Sequence, residues 1–463
     1  MKSTRDALKE ILASLRLSGS FVQNSAWMFA SSGISILIQF VFFTVLARIY
    51  SPLVYGIFGV FNVYVSTLGN AATLGYNQAF VLPKSDREFS ALLRLTGWIA
   101  IIFSIIVFII SLIAGKTIIG YFNHDEIGHW VYWIAPTMLL LSFDRITADW
   151  AIRNKEFRKQ TLWSTSTTLM VKSFNVWYGA YVSATTAGLV YTTLLQHLLR
   201  AVFYAWFIIH DFSRKMSDRF TRRELMHIAR IYKEYPLYIY WGNVINIFSN
   251  NLPAAMLPAL GFAMNYVGFY TYSLIVLDIP IRMLGAGVSS VFLQKATELS
   301  DKRREELPLL TWKLFKGIFW ISILISVIIY LTGELVYAWL LEEKWREAGM
   351  LAEILVLFYF FRMISSPISS LYHVLRKERE FFAFQLLLTA VRFGALLIGS
   401  HLTANFLELM TIYSAANALL YLLFCIRIFG LIKFSPAKVL SYVLGWTTLV
   451  GLIAVVLKEF VLK

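Results

Sequence analysis

The sequence is dominated by about thirteen apolar segments, each near the roughly 20 residues that an α-helix needs to cross a bilayer core. They fall at about 26–48, 54–82, 94–114, 130–151, 161–182, 187–209, 236–259, 265–293, 314–332, 349–370, 382–400, 407–428 and 438–457. A chain with this pattern has few structural options. Lipid offers no hydrogen bonds, so each crossing segment must satisfy its own backbone, and unbroken segments of this length do so as helices. The expected fold class is therefore an all-α integral membrane protein. Composition agrees: of 463 residues, 58% are hydrophobic and only 15% charged, against roughly 25% charged in a typical soluble domain. The mean hydropathy of +0.65 exceeds what one buried core needs. The first segment is too long for a signal-peptide apolar region and lacks a small-residue cleavage site, so it reads as a retained span. The single cysteine, Cys425, excludes an internal disulfide and supplies no zinc site.

Loop charge gives the orientation. With the N-terminus inside, cytoplasmic segments carry Lys2, Arg5, Lys84, Arg87, Arg153, Lys155, Arg222, Arg223, Lys302, Arg303, Arg376 and Lys377, whereas outer loops hold little beyond Lys116, Lys344 and Arg346. This alternation follows the positive-inside rule and predicts a multi-pass inner-membrane protein with a cytoplasmic N-terminus. It also accounts for most of the +15 net charge, which removes nucleic acid as an expected partner and leaves membrane lipid. An odd span count puts Lys458 and Lys463 outside; twelve spans followed by an interfacial helix is the alternative.

Two polar stretches are amphipathic. Leu8, Ile11, Leu12 and Leu15 recur at helical spacing near the N-terminus, as in a helix lying on the inner leaflet. Thr221-Arg-Arg-Glu224 is a capping-box pattern ahead of Leu225, Ile228 and Tyr232. The chain accordingly divides into a cytoplasmic amphipathic segment (1–22), an N-lobe of helices 1–6 (23–210), an inter-lobe loop (211–235), a C-lobe of helices 7–12 (236–430) and an extra hydrophobic helix (431–463).

The two lobes read as repeats. Gly56, Gly75 and Phe80 find Gly268, Gly287 and Phe292 at a constant offset of 212. Phe143-Asp-Arg145-Ile146 returns as Phe360-Phe-Arg362-Met363, and each copy leads into a basic loop. Such repeats commonly surround a transporter's substrate path. Six helices per half give parallel repeats, hence two lobes related by a pseudo-two-fold axis along the membrane normal.

Asn24-Ser-Ala-Trp27, Leu46-Ala-Arg48 and the Ser-Pro-x-x-Tyr-Gly-x-Phe stretch at 51–58 resemble the start of Wzx-type bacterial polysaccharide flippases. These belong to the superfamily of MATE exporters and the MurJ lipid flippase. Val267-Gly-Phe-Tyr270, Ile279-Pro280 and Phe292 are similar to the same family's seventh-to-eighth helix region. The resemblance covers about residues 20 to 430. It implies alternating access between the lobes and translocation of an undecaprenyl-diphosphate-linked oligosaccharide for O-antigen, capsule or exopolysaccharide synthesis. It also makes the polysaccharide polymerase and chain-length machinery candidate partners.

Charges inside the spans argue in the same direction. A mid-membrane charge costs at least roughly 2.5–3.5 kcal/mol on insertion scales and needs a partner or a wet cavity. Lys172, Arg200, Arg362 and Arg392 lie deep in predicted spans, Arg282 follows Asp278 by one helical turn, and Arg48 closes the first span. These six form the expected cationic, substrate-binding cavity, because Arg presents a planar fork to phosphate oxygens. Structural alternatives stand beside each: Asp278 with Arg282 fits a self-satisfied pair, Arg48 an interface anchor, and Arg145 with Asp149 side chains reaching for the interface.

No cofactor, metal-ligand or catalytic constellation stands out. Gly115-Lys116-Thr117 resembles a P-loop tail, but Ile110 replaces its first glycine. Energy would then come from a proton or sodium gradient, with Asp278 and Glu353 as candidate ion carriers. The alternatives are a peptidoglycan-precursor flippase, a MATE-type exporter, whose commonly cationic cargo calls for an acidic cavity, and a membrane polymerase, for which outer loops of about 15 residues are short.

Overall fold

The computed structural model describes residues 38–216, 220–284 and 288–461. The N-terminal amphipathic segment, the Asn24–Trp27 motif, most of the first predicted span and Gly287 lie outside these residues. All regular structure within them is helical. In chain order the longer helices are α1 (Ile38–Ile49), α2 (Pro52–Ala71), α3 (Asp86–Tyr121), α4 (Ile134–Arg153), α5 (Phe157–Tyr181), α6 (Thr186–Met216), α7 (Arg222–Ile231), α8 (Tyr240–Ala259), α9 (Met264–Leu284), α10 (Ser290–Lys302), α11 (Leu307–Leu341), α12 (Arg346–Ser365), α13 (Glu378–Leu402), α14 (Phe406–Leu431) and α15 (Pro436–Val461).

Seven of the described helical segments are long and apolar enough to cross a membrane by length and composition: α2, α3, α11, α12 with its continuation, α13, α14 and α15. Helices α4, α5, α6, α8 and α9 have at least 20 residues each but are more polar. Four of them, α4, α5, α6 and α9, carry Asp144, Arg145, Asp149, Lys172, His197, Arg200, Asp278 and Arg282, while α8 carries Asn243, Asn246, Asn250 and Asn251. Helices α3, α11 and α15 turn Ile102, Ile105, Ile109, Leu324, Ile328, Leu452 and Val456 outward.

The described structure forms two compact units. One comprises the chain up to Tyr50 together with Phe61–Ile247; the other comprises Ser51–Val60 and Phe248–Lys463. In the first, α4 packs on α3 and α6, and α6 packs on α5. Helix α3, with 36 residues, extends about 54 Å at 1.5 Å per residue. That exceeds the roughly 30 Å hydrocarbon core. Its first turns are consequently covered by protein: Phe89, Leu92 and Leu93 join Phe80, Trp150, Ile228 and Tyr232 in one core. Helix α7 supplies the last two of these. Its capping box forms as the sequence predicts, with Thr221 and Glu224 bonded reciprocally. Arg87 ties Glu224 to α3 at 2.7 Å, and the Tyr232 hydroxyl donates to Glu88 at 2.8 Å. The Thr221 amide and hydroxyl, with Arg87, hold the Glu224 carboxyl below the usual carboxylate range.

In the second unit, α12 is the central helix, packed by α9, α11 and α14. Helix α15 runs beside α11 and α14. Near its start Tyr442 meets Trp312, close to the start of α11, with ring centroids 5.2 Å apart. Near its end the Lys458 ammonium donates to the Tyr330 carbonyl at 3.2 Å, late in α11. The last apolar segment thus lies alongside α11 over most of its own length, about 39 Å for 26 residues.

The repeat is visible in one crossing. A β-carbon at Gly56 would overlap the Met264 carbonyl, and one at Gly268 would overlap the Pro52 carbonyl. A β-carbon at Gly59 would lie 2.7 Å from the Thr271 hydroxyl oxygen. Residues 52 and 264, 56 and 268, and 59 and 271 each differ by the 212 that relates the two halves of the sequence. The starts of α2 and α9 therefore cross with equivalent residues in reciprocal contact, and only glycine lets the backbones approach so closely. Aromatic rings flank the crossing: Trp345 stacks on Tyr272 at 4.0 Å, and Tyr55 meets Tyr272 edge-on at 4.6 Å.

Candidate functional site

The intramembrane charges fall into separate polar clusters within the two units. In the second unit, Asp278 sits on α9 and is 30% exposed. Arg282, one turn on, approaches its Oδ2 at 3.9 Å. From α12, Arg362 approaches Oδ1 at 3.6 Å, while the Tyr359 hydroxyl donates to the same oxygen at 3.2 Å. Arg362 also lies over the Tyr359 ring, 5.3 Å from its centroid. Two guanidiniums thus share one carboxylate, and both ion pairs are longer than the roughly 2.7–2.9 Å of a tight charge-assisted bond. The arrangement carries surplus positive charge and its pairs are loosely closed.

Arg392 on α13 belongs to the same region but is only 1% exposed. Its Nε donates to the Asn417 side-chain oxygen at 2.8 Å, Nη1 to Ser249 and Asn250 at 3.0 Å each, and Nη2 to the Tyr421 hydroxyl at 3.4 Å. These four partners are neutral. The cation is enclosed by a built shell and faces no open space. Tyr270, Tyr359 and Tyr413 stand within electrostatic range of it, and the first two also sense Asp278.

In the first unit, Asp144 on α4 receives His197 at 3.0 Å and Arg200 at 3.4 Å, both from α6. Arg200 further donates to Ser164 and Thr168 on α5, at 3.3 and 3.0 Å. Lys172 follows Thr168 by one turn on α5 and is partly buried. It makes no hydrogen bond or ion pair with the described residues. Arg145 follows Asp144 on α4. It lines a polar cavity of about 20 Å³ with Asn70, Thr73, Asn77 and Gln78, room for about one water. Its neighbour Asp149 accepts from Asn77 at 2.5 Å. Arg48 is exposed at the end of α1.

Glu353 is apart from these clusters. It is 8% exposed on α12, accepts the Glu334 amide at 2.8 Å, and is ion-paired to Lys458 of α15. Glu353 also lines an apolar groove of about 390 Å³ with residues such as Val327, Leu357, Thr447 and Val455. Among the described residues, no group of three or more His, Cys, Asp or Glu side chains is placed to hold a metal ion.

Of the eight sequence candidates, the structure brings Asp278, Arg282 and Arg362 together and sets Arg392 near them. It puts Arg200 and Lys172 in the other unit and leaves Arg48 and Glu353 elsewhere. Sequence reasoning missed the shell of Arg392, the use of Asp144 by both His197 and Arg200, and the role of Lys458.

Helical architecture and membrane-embedded charge define a multi-pass membrane protein, and comparison with solved structures gives its fold. The chain is similar to the lipid II flippase MurJ in an inward closed conformation, with a TM-score of 0.71 and 14% identity over 94% of this chain and 93% of that one. It is similar to an inward-facing multidrug resistance MATE family transporter of the MOP superfamily, with a TM-score of 0.68 and 14% identity over 92% and 99%. It is also similar to a MOP superfamily transporter from Pyrococcus furiosus, whose reversed binding-pocket polarity is said to suggest a different function, with a TM-score of 0.50 and 14% identity over 89% and 96%. These likenesses give the MATE/MurJ-like fold. A model of the polysaccharide biosynthesis protein family matches residues 45–350; the chain belongs to that family, which bears out the resemblance read from the sequence. No curated protein sequence matches it.

Proposed function

We propose that this protein is a flippase that moves undecaprenyl-diphosphate-linked oligosaccharide repeat units from the cytoplasmic to the outer leaflet of the bacterial inner membrane. It does so by alternating access of two six-helix lobes, 23–210 and 236–430, and catalyses no covalent step. The observation that carries the reading is the cluster of Arg282 and Arg362 around one loosely held carboxylate, Asp278. A cationic cargo would be repelled by this surplus. A diphosphate presents several acceptor oxygens, and guanidiniums bind such oxygens in a planar, bidentate manner. Lys172, without a partner among the described residues, and Arg200 add positive charge in the other unit. Arg392, already bonded, anchors the shell around the cluster. The prenyl tail stays in lipid while the head group passes.

The test uses liposomes containing the purified protein and a labelled undecaprenyl-diphosphate oligosaccharide, with a membrane-impermeant quencher reporting the outer leaflet. Protein-dependent loss of the protected half, weakened by Arg362→Glu with folding intact, supports the reading. Normal flipping by Arg362→Glu, Arg282→Glu and Lys172→Glu alike refutes the cationic site. A cargo carrying the peptidoglycan disaccharide, assayed in parallel, separates the two lipid-diphosphate cargo classes.

A further inference from the structure

The Asp278 cluster has a second consequence, which rests on the flippase reading. Asp278 occupies the guanidiniums that a diphosphate would use. Both pairs are loose, at 3.6 and 3.9 Å, and the Asp278 and Arg282 side chains are 30% and 52% exposed. An arriving anion with two phosphates competes for these cations with an advantage in donor geometry and charge. Arg392 has little to offer the diphosphate, because its hydrogen bonds are already made to Asn417, Ser249, Asn250 and Tyr421. Two arginines then face two phosphate charges, and the Asp278 carboxylate is left as an additional anion beside them. Like charges that share one site disfavour each other's ionised form, and the weaker acid takes up a proton.

We infer that Asp278 is an internal competitor for the cargo and takes up one proton when the diphosphate displaces it from Arg282 and Arg362. The proton comes from water and goes to Oδ2, the oxygen that Arg282 leaves. Tyr359 continues to donate to Oδ1. The other titratable or charged groups facing this point are Arg282 and Tyr270 on α9 and Tyr359 and Arg362 on α12. Arg392 on α13 and Tyr413 and Tyr421 on α14 reach the cluster through Tyr270, Tyr359 and Arg362. Release of the cargo restores the ion pairs and returns the proton. A cargo of charge −2 thus crosses as a unit of net charge −1.

The experiment measures binding calorimetrically on the full-length protein in detergent, in buffers of different ionisation enthalpy. The probe is a short-chain prenyl diphosphosugar, a diphosphate diester with no proton that titrates near neutrality. The expected result is uptake of about one proton per bound probe by the wild type, as one displaced carboxylate requires. Asp278→Asn should take up none and bind about tenfold more tightly, since the competing charge-assisted contact is gone. Binding by the wild type without proton uptake overturns this inference and leaves the flippase reading standing. Uptake that persists in Asp278→Asn also overturns it, because another group then carries the proton. Failure of both proteins to bind overturns the flippase reading itself. If Asp278→Asn does not fold, the infrared difference spectrum of the wild type decides: a new protonated-carboxyl band on binding supports the inference, and its absence overturns it.

Discussion

Replacing Lys458 by methionine removes the cation that α15 delivers to Glu353. The Glu353 side chain is 8% exposed and that of Lys458 25% exposed, so the pair is largely withdrawn from solvent. Removing one partner of a buried ion pair typically costs about 3–5 kcal/mol, because the other charge is left uncompensated. Here Glu353 keeps the Glu334 amide at 2.8 Å, and Lys458 retains some exposure, which places Lys458→Met near the lower end, about 3 kcal/mol. Glu353→Gln should cost about 1–2 kcal/mol, since glutamine still accepts from the Glu334 amide and the lysine retains the Tyr330 carbonyl. The double variant removes both charges together and should cost less than the sum of the singles by about 2 kcal/mol. The assay is unfolding in mixed micelles by increasing the fraction of denaturing detergent, followed by tryptophan fluorescence. A double variant whose cost equals the sum of the singles, or a Lys458→Met protein as stable as the wild type, would refute the claim that the pair clamps α15 to α12.

Three further outcomes follow from the geometry. Gly56→Ala and Gly268→Ala each drive a methyl into a backbone carbonyl; overpacking of this kind costs about 1–3 kcal/mol, and the same unfolding assay should find the two similar. Arg392→Met strands the Asn417 and Asn250 side-chain oxygens at about 1–3 kcal/mol for each buried acceptor; Arg392→Lys should recover part of that loss, and equal stability of all three proteins would contradict the shell. Because the folded-state pKa of Glu224 is depressed, its contribution to the α7 cap is present above the ordinary carboxyl value of 4.5 and disappears as pH falls through the folded value. Hydrogen exchange should show α7 amides losing protection on acidification, while Glu224→Gln should start less protected and change little.

The sequence exposes those features that depend on local spacing. Asp278 and Arg282 are one turn apart, so their shared face is written in the chain. The Thr221–Glu224 cap and the reciprocal glycines are legible for the same reason. Arg362, which completes the Asp278 cluster, arrives from another helix, and no local pattern announces the pairing. The same holds for Lys458, 105 residues from Glu353, and for Asp144, which collects His197 and Arg200 from 53 and 56 residues away. Burial was also hard to read: Lys172 and Arg392 look equivalent as cations in apolar segments, yet one has no partner among the described residues and the other is enclosed by four neutral side chains. Helix ends were misjudged where polar turns extend a span beyond the bilayer, as in α3, whose first turns are covered by α7.

The crossing of α2 and α9 has the geometry of an isologous contact, in which residue i touches j and the counterpart of j touches the counterpart of i. Such a surface requires no adjustment when two copies of one helix meet across a two-fold axis. A six-helix ancestor bearing a single glycine at this position could already form this contact as a homodimer, and fusion of two genes would inherit an interface fitted on both sides. The constraint persists after fusion. Because each glycine accommodates the other helix's carbonyl, a change at one cannot be absorbed by drift at its counterpart, and the two positions are expected to remain glycine together while the surrounding halves diverge.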